Sequence, residues 1–226
     1  MNYTELSARI QAYAENEFPA SAGNLTSAQQ IATFVEQAEE RIYNSVQIPA
    51  LRRNVTGNTT ATNKYLACPD DFLSVYSMAV IDDTGTYEYL LNKDVNFIRA
   101  AYPSPSSTGI PKYYGLFGPR SSNSTELAFI LGPTPDTQYT IELHYFYYPE
   151  SIVTAGTSWL GDNYDPVLLY GALREAYIYM RGEADMIANI ESKYQEAIGQ
   201  LKRLGDGLER NDAYRSGQTS LQYNKL

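Results

Sequence analysis

Apolar residues recur at helical spacing at both ends of the chain and at strand spacing between them, and this order constrains the fold most. Leu6, Ile10, Ala14 and Phe18 fall every four residues, and Pro19 closes that segment. Ser27-Ala-Gln-Gln30 then reads as a capping box, with the serine oxygen on an orphan helix N–H and the glutamine reaching back. From it runs the stripe Ile31, Phe34, Val35, Ala38, Ile42 and Val46, and Pro49 ends the predicted helix 27–48. Glu36, Glu39 and Glu40 fall on its remaining faces. The other end repeats the pattern. Asp165-Pro166 reads as an N-cap followed by proline at the first helical position, ahead of an apolar run through Met180. Gly171 and Ala172 in mid-helix imply close approach of another backbone, since glycine there costs about 1 kcal/mol. A last helix from near Glu183 carries Ile187, Ile190, Tyr194, Ile198 and Leu201 on one face, with Gly205 or Gly207 as its C-cap.

The middle alternates. Residues 64–67, 73–81, 87–91, 113–117, 127–131 and 139–148 are β-branched and aromatic runs bounded by Gly, Pro, Asp or Asn. Residues 54–63 form a loop or an edge, Asp82-Asp-Thr-Gly85 a hairpin turn, and 92–101 a short helix. In the strand through 140–147, Ile141, Leu143, Tyr145 and Tyr147 share one face and Thr140, Glu142, His144 and Phe146 the other. The fold class is therefore α+β: a discontinuous helical bundle built from both chain ends, with an inserted antiparallel β domain. The expected divisions are 1–52 plus 155–210 for the helices, 53–154 for the β insert, and 211–226 for a polar, aperiodic tail expected to be flexible.

Composition narrows the chemistry. Of the 226 residues one is cysteine and one is histidine, so neither an internal disulfide nor a two-histidine metal motif is available. No cofactor is expected. His144 lies mid-strand outside any nucleophile context, and Cys68 has no basic neighbour in sequence to activate it. The pairs Asp70-Asp71 and Asp82-Asp83 fall at turns, where aspartate caps backbone N–H groups, so their catalytic reading as a glycan hydrolase is the weakest. No phosphate-binding glycine loop occurs. The basic doublets Arg52-Arg53 and Lys202-Arg203 stand isolated in a chain of net charge −9, which argues against sequence-specific DNA binding. An acidic surface still suits DNA that must slide past without adhering. The charge is −4, −4 and −1 over residues 1–50, 51–164 and 165–226. No apolar run of 18 residues exists, and the first 17 residues lack a basic start and an apolar stretch. The expectation is a protein without a membrane span, made and used in the cytoplasm. Tyrosine is the anomaly, at 21 residues; exposed, these rings would suit protein interfaces or sugar platforms.

A series of motifs resembles one family. Tyr65-Leu-Ala-Cys-Pro-Asp-Asp-Phe72, Leu91-Asn-Lys-Asp-Val-Asn-Phe97, Ile130-Leu-Gly-Pro-Thr-Pro135, Glu142-Leu-His-Tyr-Phe-Tyr-Tyr-Pro149, Ser158-Trp-Leu160 and the helix from Leu168 to Ala176 follow one another in order. With Ile42, Pro49 and Leu51-Arg-Arg53, they are similar to the head-to-tail adaptors, or connectors, of tailed bacteriophages, including tail tubular protein A of T7-like podoviruses. The resemblance implies a structural protein of the virion neck and tail, made in the host bacterial cytoplasm and without catalysis. It would form a dodecameric ring between the portal and a nozzle resembling tail tubular protein B, passing genomic DNA without reading it. On that reading Glu36, Glu39 and Glu40 would face the lumen, Tyr214, Arg215, Leu221 and Tyr223 would contact the portal, and Tyr102, Ser106 and Tyr113 the nozzle. The rival reading is a tyrosine-rich, carbohydrate-binding tail module.

Overall fold

A computed structural model describes residues 1–20, 25–104, 106–118 and 127–209. Among them the fold is mixed α+β, with seven α-helices and two four-stranded sheets. The chain opens with α1 (Tyr3–Ala14) and α2 (Ser27–Ser45). It continues through β1 (Arg52–Asn58), β2 (Tyr65–Ala67), β3 (Phe72–Ile81), β4 (Tyr87–Tyr89), β5 (Leu91–Asn92) and α3 (Val95–Ala101). Next come β6 (Tyr113–Phe117), β7 (Ala128–Gly132) and β8 (Thr140–Tyr147). Four helices follow: α4 (Ile152–Ala155), α5 (Trp159–Asn163), α6 (Asp165–Tyr179) and α7 (Ala184–Glu209). Two compact units result, Met1–Ala50 with Pro149–Leu226, and Leu51–Tyr148.

In the helical unit α6 packs against α1, α2 and α7. Its apolar residues reach round the helix: Val167, Leu168, Leu169, Ala172, Leu173 and Ala176 are all buried, as befits an element with neighbours on several sides. Gly171 is where the backbones close in. A Cβ there would lie 3.0 Å from Ala38 Cβ and 3.3 Å from the Tyr194 ring.

Several helix ends differ from the pattern-based expectation. α1 stops at Ala14 because Glu15 turns into the left-handed region (φ 49°). Phe18 also has positive φ (51°), and by this turn rather than by helical periodicity its ring reaches Phe34, 5.4 Å away. The α2 capping box uses Thr26 and Gln29, one residue earlier than the serine, and Ser27 Oγ instead donates to the Glu17 carbonyl at 2.6 Å. Asp165 is the first residue of α6, not its cap; Tyr164 holds that position without a side-chain bond. α7 runs through both glycines to Glu209. Gly205 is a packing position, since a Cβ there would stand 2.6 Å from Ile48 Cγ2.

In the β unit the first sheet has order β1-β8-β3-β4, antiparallel throughout. The second has order β2-β7-β6-β5, and its last pair is parallel, so the insert is mixed rather than wholly antiparallel. A parallel neighbour needs a crossover, and α3 lies in the connection from β5 to β6. Residues 54–58 belong to an edge strand, β1, exposed along nearly all its length. Between the sheets lie Phe72, Met78, Val80, Ile141, Leu143 and Tyr145 from the first and Tyr114, Phe129 and Leu131 from the second. The alternation read along β8 thus puts Ile141, Leu143 and Tyr145 in the core.

Candidate functional site

Two of the three carboxylates on α2 are exposed, Glu36 and Glu40. Glu39 is not on that face: it is only 3% exposed. Its Oε1 accepts the Ile152 N–H at 3.0 Å, at the start of α4, and its Oε2 is buried without a hydrogen-bond partner. Burial raises its pKa, the Ser151 hydroxyl and Ile152 N–H pull it down by less, and the Glu36 charge adds to the rise. Glu39 is thus a structural carboxylate that ties α2 to the segment where the chain re-enters the helical unit. A second polar tie crosses the helices. Arg41 pairs with Glu175 at 2.6 Å, Arg174 pairs with Glu175 at 3.0 Å, and Arg174 reaches on to Glu191.

Tyr102 and Tyr113 come together in the β unit, with ring centroids 6.3 Å apart, and Phe97 of α3 meets Tyr113 edge-on at 5.5 Å. Ser106 is exposed in the following loop, its hydroxyl 2.7 Å from that of Ser104. A groove of about 640 Å³ runs beside Tyr102, bordered by Glu88, Ile110, Lys112 and Pro133. Tyr214, Arg215, Leu221 and Tyr223 lie outside the described residues.

Of the residues weighed for catalysis, Asp71 and Asp82 are bound into hydrogen bonds of the fold. Asp71 accepts from Arg53 at 2.7 Å and from the Tyr145 hydroxyl at 2.8 Å; burial first, then the hydrogen bond to Asp71 and its charge, push the Tyr145 phenol up to about 12 against a smaller lowering by Arg53. Asp82 accepts from the Thr84 hydroxyl (2.6 Å) and the N–H groups of Thr84 (2.8 Å) and Thr86 (2.9 Å), which hold its carboxyl below the usual range. That closes the turn, with Gly85 supplying the positive φ (83°). Burial pushes the Cys68 thiol up to about 12, so it is a small apolar filler. His144 sits half-exposed 3.7 Å from Glu142, which also accepts from Asn54 at 3.0 Å. Among the described residues no group of three or more His, Cys, Asp or Glu side chains could hold a metal ion. No described helix is long and apolar enough to cross a membrane.

Sequence reasoning passed over one surface. Residues 87–92 are one extended passage that borders the first sheet as β4 and the second as β5. Leu90 turns inward, and Tyr87, Tyr89 and Leu91 are 47%, 71% and 59% exposed. The signal was their alternation with Leu90 at a sheet edge, which becomes visible only once strand order is known.

The chain thus presents two exposed acids on α2, an aromatic cluster beside a loop, and exposed tyrosines on a short edge strand. The family of the SU10 adaptor protein matches residues 1–220, and the chain belongs to that family. It is thus a bacteriophage structural adaptor, a class of the virion neck and tail. No curated protein matches the chain.

Proposed function

We propose that the chain forms a dodecameric ring between portal and tail nozzle, and that the ring passes the genome outward during ejection. The family match over residues 1–220 carries this reading. The order of the motifs from Tyr65 to Ala176 supports the finer placement beside tail tubular protein A, with a nozzle like tail tubular protein B as the second partner. The lumen reading now rests on Glu36 and Glu40 alone, whose exposed charge would repel DNA phosphates and keep the duplex from adhering. Portal contact falls to residues 211–226, through Tyr214, Arg215, Leu221 and Tyr223. Nozzle contact falls to the loop at 102–112 with Tyr102, Ser106 and Tyr113, where two rings stand beside an exposed hydroxyl-bearing loop. The protein carries out no reaction in this role, and the carboxylates at Asp71 and Asp82 serve its fold.

Removal of residues 211–226 tests the portal contact: the truncated chain should lose co-sedimentation with the portal while keeping its thermal unfolding profile. Unchanged portal binding would contradict that assignment. Photo-crosslinkers at Ser106 should capture the nozzle protein, and capture of the portal alone would overturn the nozzle assignment.

A further inference from the structure

The first sheet of the β unit has two open edges, and their geometry fits each other. The order β1-β8-β3-β4 has an even number of strands, each antiparallel to the next, so β1 runs antiparallel to β4. A neighbouring copy that presents β1 to β4 in the same orientation would therefore continue the sheet in the antiparallel sense.

The hydrogen-bond phase fits as well. Thr59 N–H donates to the Tyr139 carbonyl, just past the β1–β8 register. Alternation of bonded and non-bonded pairs then turns the N–H and C=O of Asn54, Thr56 and Asn58 toward the open side of β1. Leu90 N–H donates to the Met78 carbonyl and Asp82 N–H to the Thr86 carbonyl. By the same alternation, the N–H and C=O of Tyr87 and Tyr89 point to the open side of β4. Rows across the sheet read Asn58–Thr140–Ile81–Tyr87 and Thr56–Glu142–Ala79–Tyr89, so all the outward-bonding residues also share one face. Strand direction, bonding phase and side-chain face agree without any shift of register. The stretches that would pair, 56–58 and 87–89, carry no lysine, proline or bulge, and their one charge is Glu88.

We propose that copies of this chain join head to tail by pairing β4 of one with β1 of the next, Tyr87 opposite Asn58 and Tyr89 opposite Thr56. This rests on the ring reading above and supplies its subunit contact. The pairing sets two exposed tyrosines against small polar partners and leaves Glu88 opposite Gly57, which has no side chain and open space around it. Charge disfavours one symmetric alternative: two β4 edges in full overlap would bring Glu88 directly against its own copy. The contact is heterologous, so repetition builds a ring or an open filament, not a closed dimer.

Paired cysteines test the register on the full-length chain carrying Cys68→Ala. Glu88→Cys with Gly57→Cys places thiols at a non-bonded pair, where the Cα atoms approach to about 4.5 Å, within disulfide reach. Mild oxidation of the assembled protein should give a ladder of covalent dimers, trimers and higher species on non-reducing gels. Each single variant should give no ladder. A dimer from Glu88→Cys alone, or no crosslink while rings are still seen by electron microscopy, overturns the edge pairing and leaves the ring standing. Thr56→Pro gives a second readout: it removes an outward N–H that no intramolecular strand uses. It should abolish multimers while the monomer's circular dichroism is kept, and persistent rings would refute the pairing. If the native chain forms no multimer with or without portal, the ring and the edge pairing fall together.

Discussion

Three glycines in α7 should respond to the same substitution in different ways. Alanine in a helix interior is favoured over glycine by about 0.8–1.0 kcal/mol. At Gly199 nothing lies within 4 Å of a built Cβ, so Gly199→Ala should be stabilising by about that amount. At Gly205 the same Cβ would stand 2.6 Å from Ile48 Cγ2, about 1 Å inside ordinary carbon contact. Ile48 is fully buried and β-branched, so its methyl cannot swing aside, and α7 would have to part from the segment that follows α2. Overpacking of this kind costs about 1–3 kcal/mol, which outweighs the helical gain. The two variants should therefore differ by about 1–3 kcal/mol, or several degrees in Tm at about 2–4 °C per kcal/mol for a chain of this size. Both report on the same unit, so urea and thermal unfolding followed by circular dichroism compare them directly. Gly207→Ala, also with nothing within 4 Å, should behave like Gly199→Ala, less the fraying of a last turn. If Gly205→Ala proves as stabilising as Gly199→Ala, the packing argument is wrong.

Other outcomes follow from the buried polar groups. Because the native pKa of Glu39 is raised, the folded state holds its proton to higher pH than the unfolded chain. Its contribution is thus fully present below the unfolded value and lost as pH rises through the native one. Glu39→Gln keeps an oxygen for the Ile152 N–H, so it should flatten the fall in stability between acid and neutral pH; an unchanged slope in urea titrations would place the titration elsewhere. Tyr145→Phe should cost about 1–3 kcal/mol by stripping Asp71 of a buried hydroxyl, measured by urea unfolding, and a neutral result would mean that water replaces it. Cys68 should react with a thiol reagent at pH 8 orders of magnitude more slowly in the native protein than in urea, and equal rates would contradict its burial.

Local patterns reported the elements well wherever a segment's own periodicity decides its fate. The stripes on α2 and α7 and the alternation along β8 are of that kind. They failed where a long-range neighbour decides. Gly205 has the look of a cap, yet Ile48, distant in sequence, makes it a packing site. Glu39 shows a limit of reading by residue type. Its spacing from Val35, Ile42 and Tyr43 is four, three and four, which puts it on the apolar face, and charge alone suggested the solvent side. The exposed row Tyr87, Tyr89 and Leu91 looks like an ordinary half-buried strand until strand order makes it an edge. The likeness to phage adaptors, carried by motif order, was legible in the sequence, and the family match over residues 1–220 agrees with it at the level of the adaptor class. Contact surfaces leave no such mark on one sequence.

The central claim is a ring that seats on a portal, and imaging tests it most directly. Purified chain mixed with its portal should give, in negative stain, an added annular layer on the tail-facing end of the portal, with as many subunits as the portal has. The same layer should be missing with the chain truncated before residue 211. A chain that stays monomeric beside unmodified portals would contradict the account.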